Sequence, residues 1–481
     1  MAKKSIVKNY IYNLIYQMLT IVLPLVTTPY LSRVLGAGPI GIYGYTLSII
    51  TYFILFGSLG IAMYGQREIA YVQDKKEEQS KTFWEIVIFR VITMTVALII
   101  FYLTFCLKGE YSLYYKILIL ELVANAIDIS WYFQGVEDFG KTVVRNIIVK
   151  SLSLVCIFIF IKSPEDLWKY FLIYTLANLL GNLTMWMYIP KILPKIRLKE
   201  LNLTKHIKPT LALFVPQIAT QIYVVLDKTM VGNITGNMSE VGYYEQAQKI
   251  VKALMLVVTA LGTVMSSRIA NTYALKKDNE IKKYLEKSFN AVWFLGIPIT
   301  LGLIAITPKM VPWFYGDGFN SVIPLLIATS PIILIIGLSN VTGSQYLIQV
   351  GNQRVFTISV TTGAVVNVIF NFILINMLGT IGAVISSNLA EISVLVVQLY
   401  YLREKIKIKN IFKNSWKYII SGIIMSIVVY AISIKMNTSC INTLIQICIG
   451  GILYFILLII FKEQFINEII NKILNNIKKE N

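Results

Sequence analysis

Charge is scarce in this chain. Only 14% of its 481 residues are Asp, Glu, Lys or Arg, against about a quarter in soluble domains, so most of its surface is not built for water. Histidine is nearly absent too. The single one, His206, lies in a basic segment, which excludes a histidine-based metal centre or hydrolase. The four cysteines, Cys106, Cys156, Cys440 and Cys448, form no CxxC pair and sit in or beside apolar runs. They read as small hydrophobes in helix packing rather than as a disulfide or metal site. No G-x-x-x-x-G-K-[ST] loop occurs, so ATP does not drive a cycle directly, and no cofactor or metal is expected. Loops long enough for a separate soluble catalytic domain are missing as well. The longest, 266–287, has helical charge spacing and is expected to lie along the inner membrane surface.

What the sequence has is apolar length: 56% of its residues are hydrophobic. A helix needs about 20 apolar residues to cross a bilayer core. Candidate spans are 10–31, 40–63, 84–106, 117–134, 146–161, 170–189, 211–232, 241–265, 288–306, 322–348, 356–376, 381–402, 418–434 and 442–461. The short span 146–161 is expected to begin nearer Lys141. The fold class is therefore all-α, a polytopic membrane protein of about fourteen transmembrane helices. Met1–Lys8 is basic and a long apolar run follows without a small-residue cleavage site, as in a retained first helix.

The basic residues test that segmentation. With the N-terminus inside, 32 of the 44 Lys and Arg fall in inner segments, 7 in outer ones and five within spans. A wrong helix count would scramble this division, so span number and orientation support each other. Both termini are then expected in the cytoplasm, in a multi-pass protein of the cell membrane. The net charge of +19 also finds its explanation, since the stretches Lys191–Lys208, Arg268–Lys287 and Arg403–Lys417 become solvated inner segments beside anionic lipid headgroups rather than a nucleic-acid surface.

A weak internal repeat runs at an offset of 201: Gly41-Ile42-Tyr43 against Gly242-Tyr243-Tyr244, and Arg67 against Arg268. Tyr188-Ile-Pro-Lys191 and Tyr401-Leu-Arg-Glu404 end the sixth and twelfth spans alike. These matches imply two six-helix bundles, 1–208 and 209–403, followed by two additional C-terminal helices and a cytoplasmic tail in 404–481, a common transporter plan. Pro24, Pro29, Pro216, Pro298, Pro324 and Pro331 punctuate spans 1, 7, 9 and 10. Each frees backbone groups that protein or a wet cavity must satisfy.

An ionisable group at the bilayer centre costs at least about 2.5–3.5 kcal/mol, so it should face a bundle interior or a cavity. In span 8, Glu245, Lys249 and Lys252 stand at i, i+4 and i+7 on one helical face, with Lys252 near the midplane. Glu245 and Lys249 can pair, which leaves Lys252 without a partner in its own helix; an anionic ligand, water or Glu391 of span 12 could meet it. Glu121 and Asp128 of span 4 lie seven apart on one face, and Arg90 or Lys150 could pair with Asp128. A structural ion pair and a proton or sodium relay both remain open there. Asp227 and Lys228 point about 100° apart in span 7 and cannot simply pair with each other. Glu85, at an inner helix end, is expected to snorkel. Asn367, Asn371 and Asn388 suit helix–helix hydrogen bonds. Tyr43, Tyr45, Tyr243, Tyr244 and Trp131, near span ends, suit an interfacial belt. The cations Lys249, Lys252, Lys228 and Arg90 fit a phosphate-bearing lipid; Asp227, Glu245, Asp128 and Glu391 are candidates for ion pairing or coupling.

Three segments carry a resemblance. Asn13-Leu-Ile-Tyr-Gln17 with Pro24-Leu-Val-Thr-Thr-Pro-Tyr-Leu-Ser-Arg-Val-Leu-Gly36 and Ile40-Gly-Ile-Tyr43 is the first. Asp128-Ile-Ser-Trp-Tyr-Phe-Gln-Gly-Val-Glu137 is the second, and Leu226-Asp-Lys-Thr-Met-Val-Gly232 followed by Glu240-Val-Gly-Tyr-Tyr-Glu245 the third. The chain resembles, along its whole length, the polysaccharide-export flippases that move repeat units of O-antigen, capsule and related glycans. These belong to the multidrug/oligosaccharidyl-lipid/polysaccharide exporter superfamily. The resemblance implies alternating access of two six-helix bundles around a cationic cavity, and a cargo of oligosaccharide on a polyprenyl-pyrophosphate carrier. It implies no enzymatic activity, a coupling ion (H+ or Na+), and contacts with membrane lipids and with glycan polymerases or glycosyltransferases. A lipid II flippase and a drug/cation antiporter are neighbouring readings. A membrane glycan polymerase is disfavoured by the short outer loops.

Overall fold

The computed structural model describes residues 23–194, 201–403 and 408–463. Asn13–Gln17 and Glu404, used in the motifs above, lie outside the described residues. Two compact units divide the chain, Met1–Gly242 and Tyr243–Asn481.

In the first unit a helix over 23–35 (α1) leads through Gly36 into α2 (Ala37–Ser58) and α3 (Ile61–Tyr71). Next come α4 (Lys76–Phe101), α5 (Ser112–Ala126), the six-residue α6 (Ser130–Gly135), α7 (Phe139–Phe160), α8 (Leu167–Trp186) and α9 (Ile207–Thr235). α10 (Met238–Ala274) begins here and continues into the second unit. There follow α11 (Asp278–Tyr315), α12 (Val322–Thr329), α13 (Ile332–Asn340), α14 (Gln353–Leu378), α15 (Thr380–Leu402), the short α16 (Ile408–Phe412), α17 (Ser415–Lys435) and α18 (Cys440–Ile460). No strand occurs among the described residues.

Among the described residues ten helices are long and apolar enough to cross a membrane, and they coincide with ten of the fourteen expected spans. The other four expectations fall on α1, on the α5–α6 pair, on α8 and on α9. The fifth span does begin early: α7 starts at Phe139. Outward-facing side chains such as Leu103, Ile148, Leu152, Ile427 and Ile452 are pure hydrocarbon and exposed, a surface suited to acyl chains and not to water.

Several expectations need correction. The segment 266–287 is helical, as its charges suggested, yet it is not a separate surface helix. α10 and α11 extend through it and leave only a turn at 275–277. Trp131, Tyr43 and Tyr244 are buried, not interfacial. Trp131 packs with Phe83, Tyr132, Tyr64 and Met185 in the apolar core that α3, α4, α6 and α8 share. A fused aromatic surface gains more from such burial than from a place at the headgroups.

Chain reversals follow local chemistry. α14 and α15 meet in a hairpin turned at Gly379, whose φ of 59° favours glycine. A Cβ on Gly382 would lie 2.1 Å from the Leu374 carbonyl oxygen, so this pair needs a bare backbone to close. Ser163 and Asp166 form a capping box on the 3-10 turn Pro164–Asp166 that precedes α8, with Pro164 as its first residue. Two wide π segments, Tyr102–Cys106 and Val341–Leu347, continue α4 and α13. Gln398 of α15 steadies the second: it accepts from the Thr342 hydroxyl and donates to Ser359 Oγ at 3.1 Å.

Candidate functional site

The fourth expected span breaks in the middle. α5 ends at Ala126 and α6 begins at Ser130, so Glu121 and Asp128 do not share one continuous helical face. A break at membrane depth is tolerated only where protein satisfies the freed backbone, and α8 does this. Asn182 donates to the Ala124 carbonyl at 2.7 Å, and Trp186 Nε1 donates to the Ile127 carbonyl at 2.8 Å.

The break holds a charged network. Asp128 accepts from the Ser130 amide at 2.9 Å and from the Ser130 hydroxyl at 2.5 Å, and Arg90 Nη2 stands 3.8 Å from its other oxygen. Arg90 is buried, and its Nε and Nη1 atoms have no hydrogen-bond partner among the described residues. Arg145 of α7 donates through Nη1 to Ser130 Oγ at 3.1 Å and to Asn182 Oδ1 at 2.8 Å, and through Nη2 to Asn146 Oδ1 at 2.7 Å. Sequence reasoning found Arg90 and Asp128 but counted Arg145 among inner-loop charges. Its helical position after Lys141 was the available signal.

Higher on α5, Glu121 is buried and takes amide donors from Asn125 and Asn178. Asp227 of α9 is buried, with Tyr52 of α2 close by. The Tyr52 hydroxyl stands 3.1 Å from Thr229 Oγ1. Neither Asp227 nor Lys228 is without partners.

Glu85 does not snorkel. Its carboxylate is fully buried, accepts from the Asn202 amide at 2.8 Å, and pairs with Lys205 Nζ at 2.6 Å and His206 Nε2 at 3.0 Å. The carboxylate can only accept, so Nε2 carries the imidazole hydrogen. Nδ1 then accepts from the Tyr64 hydroxyl, 2.7 Å away. Burial holds His206 below its usual pKa, outweighing the pull of Glu85. The chain before α9 is thereby fastened to α3 and α4.

In the second unit Glu245 and Lys249 approach to 3.9 Å on α10. Lys252 is exposed and does have interaction partners, so it does not stand alone as its spacing suggested. The Tyr315 hydroxyl donates to the Gln246 carbonyl at 2.8 Å, which pins α11 to the same stretch. Glu391 is buried on α15 and is engaged as well. Asn388 reaches across to the Ala328 carbonyl at 2.9 Å, while Asn371 donates to Asn367 at 3.0 Å within α14. The structure thus gathers Arg90 with Asp128 and Glu245 with Lys249.

Comparison with known proteins places the chain. Its residues 6–270 match the family model described as "Polysaccharide biosynthesis protein", and residues 171–450 match the model "Lipid II flippase MurJ". An O-antigen transporter of Escherichia coli is 26% identical over 408 residues, covering 83% of this chain and 97% of that one. A low-salt glycan biosynthesis flippase of Haloferax volcanii is 25% identical over 239 residues, 49% of each chain. Among solved structures, the lipid II flippase MurJ in an inward closed conformation superposes with a TM-score of 0.76 at 18% identity, covering 95% of this chain and all of that one. At that identity the likeness concerns the fold.

Proposed function

The chain belongs to the polysaccharide biosynthesis protein family, and from that membership we infer that it is a flippase for lipid-linked oligosaccharides. It carries a repeat unit on a polyprenyl-pyrophosphate from the inner to the outer leaflet of the cytoplasmic membrane, by alternating access, for surface polysaccharide synthesis. One observation carries this reading: the similarity to an O-antigen transporter runs through 97% of that protein. Two features of the chain support it. Its helices are apolar enough to span a membrane, and its intramembrane cations Lys249, Lys252, Lys228 and Arg90 suit a pyrophosphate headgroup. Asp227, Glu245, Asp128 and Glu391 are the groups that would pair with those cations or take up a coupling ion, H+ or Na+.

The division into 1–208, 209–403 and 404–481 is proposed from the sequence repeat. Compactness divides the chain at Gly242, since α9 packs on α2 and α3. Cytoplasmic termini are proposed from the inner bias of Lys and Arg, and contact with glycan polymerases or glycosyltransferases from the shared substrate. Lipid II is the second reading, favoured by the match of residues 171–450 to the lipid II flippase model.

The deciding experiment reconstitutes the protein in liposomes with a fluorescent polyprenyl-pyrophosphate oligosaccharide and scores its accessibility in each leaflet. Movement of the oligosaccharide lipid that excess lipid II does not suppress supports the first reading. Movement of lipid II alone supports the second, and movement of neither removes both.

A further inference from the structure

Several acids of the first unit lie beside cations. Glu85 has Lys205 and His206, Asp128 has Arg90, Asp138 has Lys141, and Asp166 has Lys169. Glu121 differs. It is 6% exposed, near the middle of an apolar helix, and its partners among the described residues are neutral. Asn125 Nδ2 lies 3.2 Å from Oε1 and 2.9 Å from the Glu121 carbonyl; Asn178 Nδ2 lies 3.2 Å from Oε1 and 3.0 Å from Oε2.

A carboxylate held out of water without a cation is costly enough that the group takes up a proton instead. Both amides turn N–H groups toward the carboxyl, which favours its ionised form and so would steady the carboxylate once the proton has left. Sodium, a hard cation, would need a ring of oxygens there. The surroundings add no opposing charge. From α8, Tyr174 faces Glu121 and bonds Asn178, and Tyr43 of α2 meets Tyr174 edge to face with ring centres 5.9 Å apart. From α4, Arg90 faces Asp128, with Nη2 3.8 Å from its carboxylate. On α5 itself, Lys116 lies toward Cys106, five residues before Glu121.

We propose that Glu121 is a proton-carrying group of the transport cycle. It holds its proton in the state described here and gives it up in a state that admits water. The balance is simple: the carboxyl O–H bond breaks, the proton passes to water, and the carboxylate takes one back on return. The chemistry rests on Glu121 and its amide shell; only its purpose rests on the flippase reading.

Two measurements test this separately. Infrared titration of the protein in nanodiscs should show the carbonyl stretch of a protonated acid at neutral pH. That band should be missing from Glu121→Gln, kept by Asn178→Asp only at a shifted pH, and unmoved by added sodium. In proteoliposomes an imposed pH gradient should speed movement of the fluorescent polyprenyl-pyrophosphate oligosaccharide by the wild type. Glu121→Gln should lose that stimulation and Glu121→Asp should keep it. An identical infrared spectrum for Glu121→Gln, or full gradient response in that variant, overturns the proposal; a sodium-sensitive band reassigns the site to sodium and overturns it too. If the wild type moves no oligosaccharide yet shows the band, the flippase reading fails and the proton site stands.

Discussion

Gly41 and Gly242, related by the repeat of 201 residues, lie back to back in the structure. A Cβ built on Gly41 would sit 1.6 Å from the Met238 carbonyl oxygen and 2.9 Å from the Gly242 nitrogen. One on Gly242 would sit 2.1 Å from the Ala37 carbonyl oxygen. The start of α2 and the first turn of α10 therefore touch backbone to backbone, which only glycine allows.

Gly41→Ala and Gly242→Ala should each destabilise the protein by about 1–3 kcal/mol, the usual cost of overpacking. Gly38→Ala is the control, because its Cβ would meet only Ser239 Oγ, at 3.6 Å. Thermal unfolding in detergent, with the three variants in parallel, checks this. Equal midpoints for Gly41→Ala and Gly38→Ala would remove the close contact.

The break between α5 and α6 should depend on α8. Asn182→Ala uncovers the Ala124 carbonyl and strips a partner from Arg145, and Trp186→Phe uncovers the Ile127 carbonyl. Each should cost about 1–3 kcal/mol through a buried polar group left unpaired. Hydrogen exchange at 127–130 should rise in both variants and stay unchanged at the α14–α15 hairpin.

His206 gives the fold a pH dependence of known sign. Its pKa is lowered in the folded state from an ordinary 6.5, so the unfolded chain binds the proton more readily. The stabilisation is complete above about 6.5 and is lost as pH falls through the lower, folded value. Stability measured from pH 8 to pH 5 should drop more steeply for the wild type than for His206→Gln. Parallel curves would show that the ring does not resist protonation.

Lys252→Ala should abolish movement of the oligosaccharide lipid while the protein still inserts, and Lys249→Ala should weaken it. Leaflet accessibility in liposomes reads both. Unchanged transport in Lys252→Ala would take this lysine out of the binding site.

A cysteine placed at Lys276, in the turn between α10 and α11, should label only from the cytoplasmic side. Labelling from outside would reverse the topology and, with it, the proposed direction of transport.

The sequence alone determined the helical class, the places of the ten described helices long and apolar enough to cross a membrane, and the candidate charges. These depend on local properties: the length of apolar runs and the side preference of Lys and Arg along the chain. Tertiary structure decided which charges have partners and of what kind. Glu85 and His206 are 121 residues apart, and Asn182 reaches Ala124 across 58, so no spacing along one helix reveals them. The same holds for the interruption after Ala126, where a continuous apolar run conceals a backbone that stays unwound because a neighbouring helix supplies its hydrogen bonds.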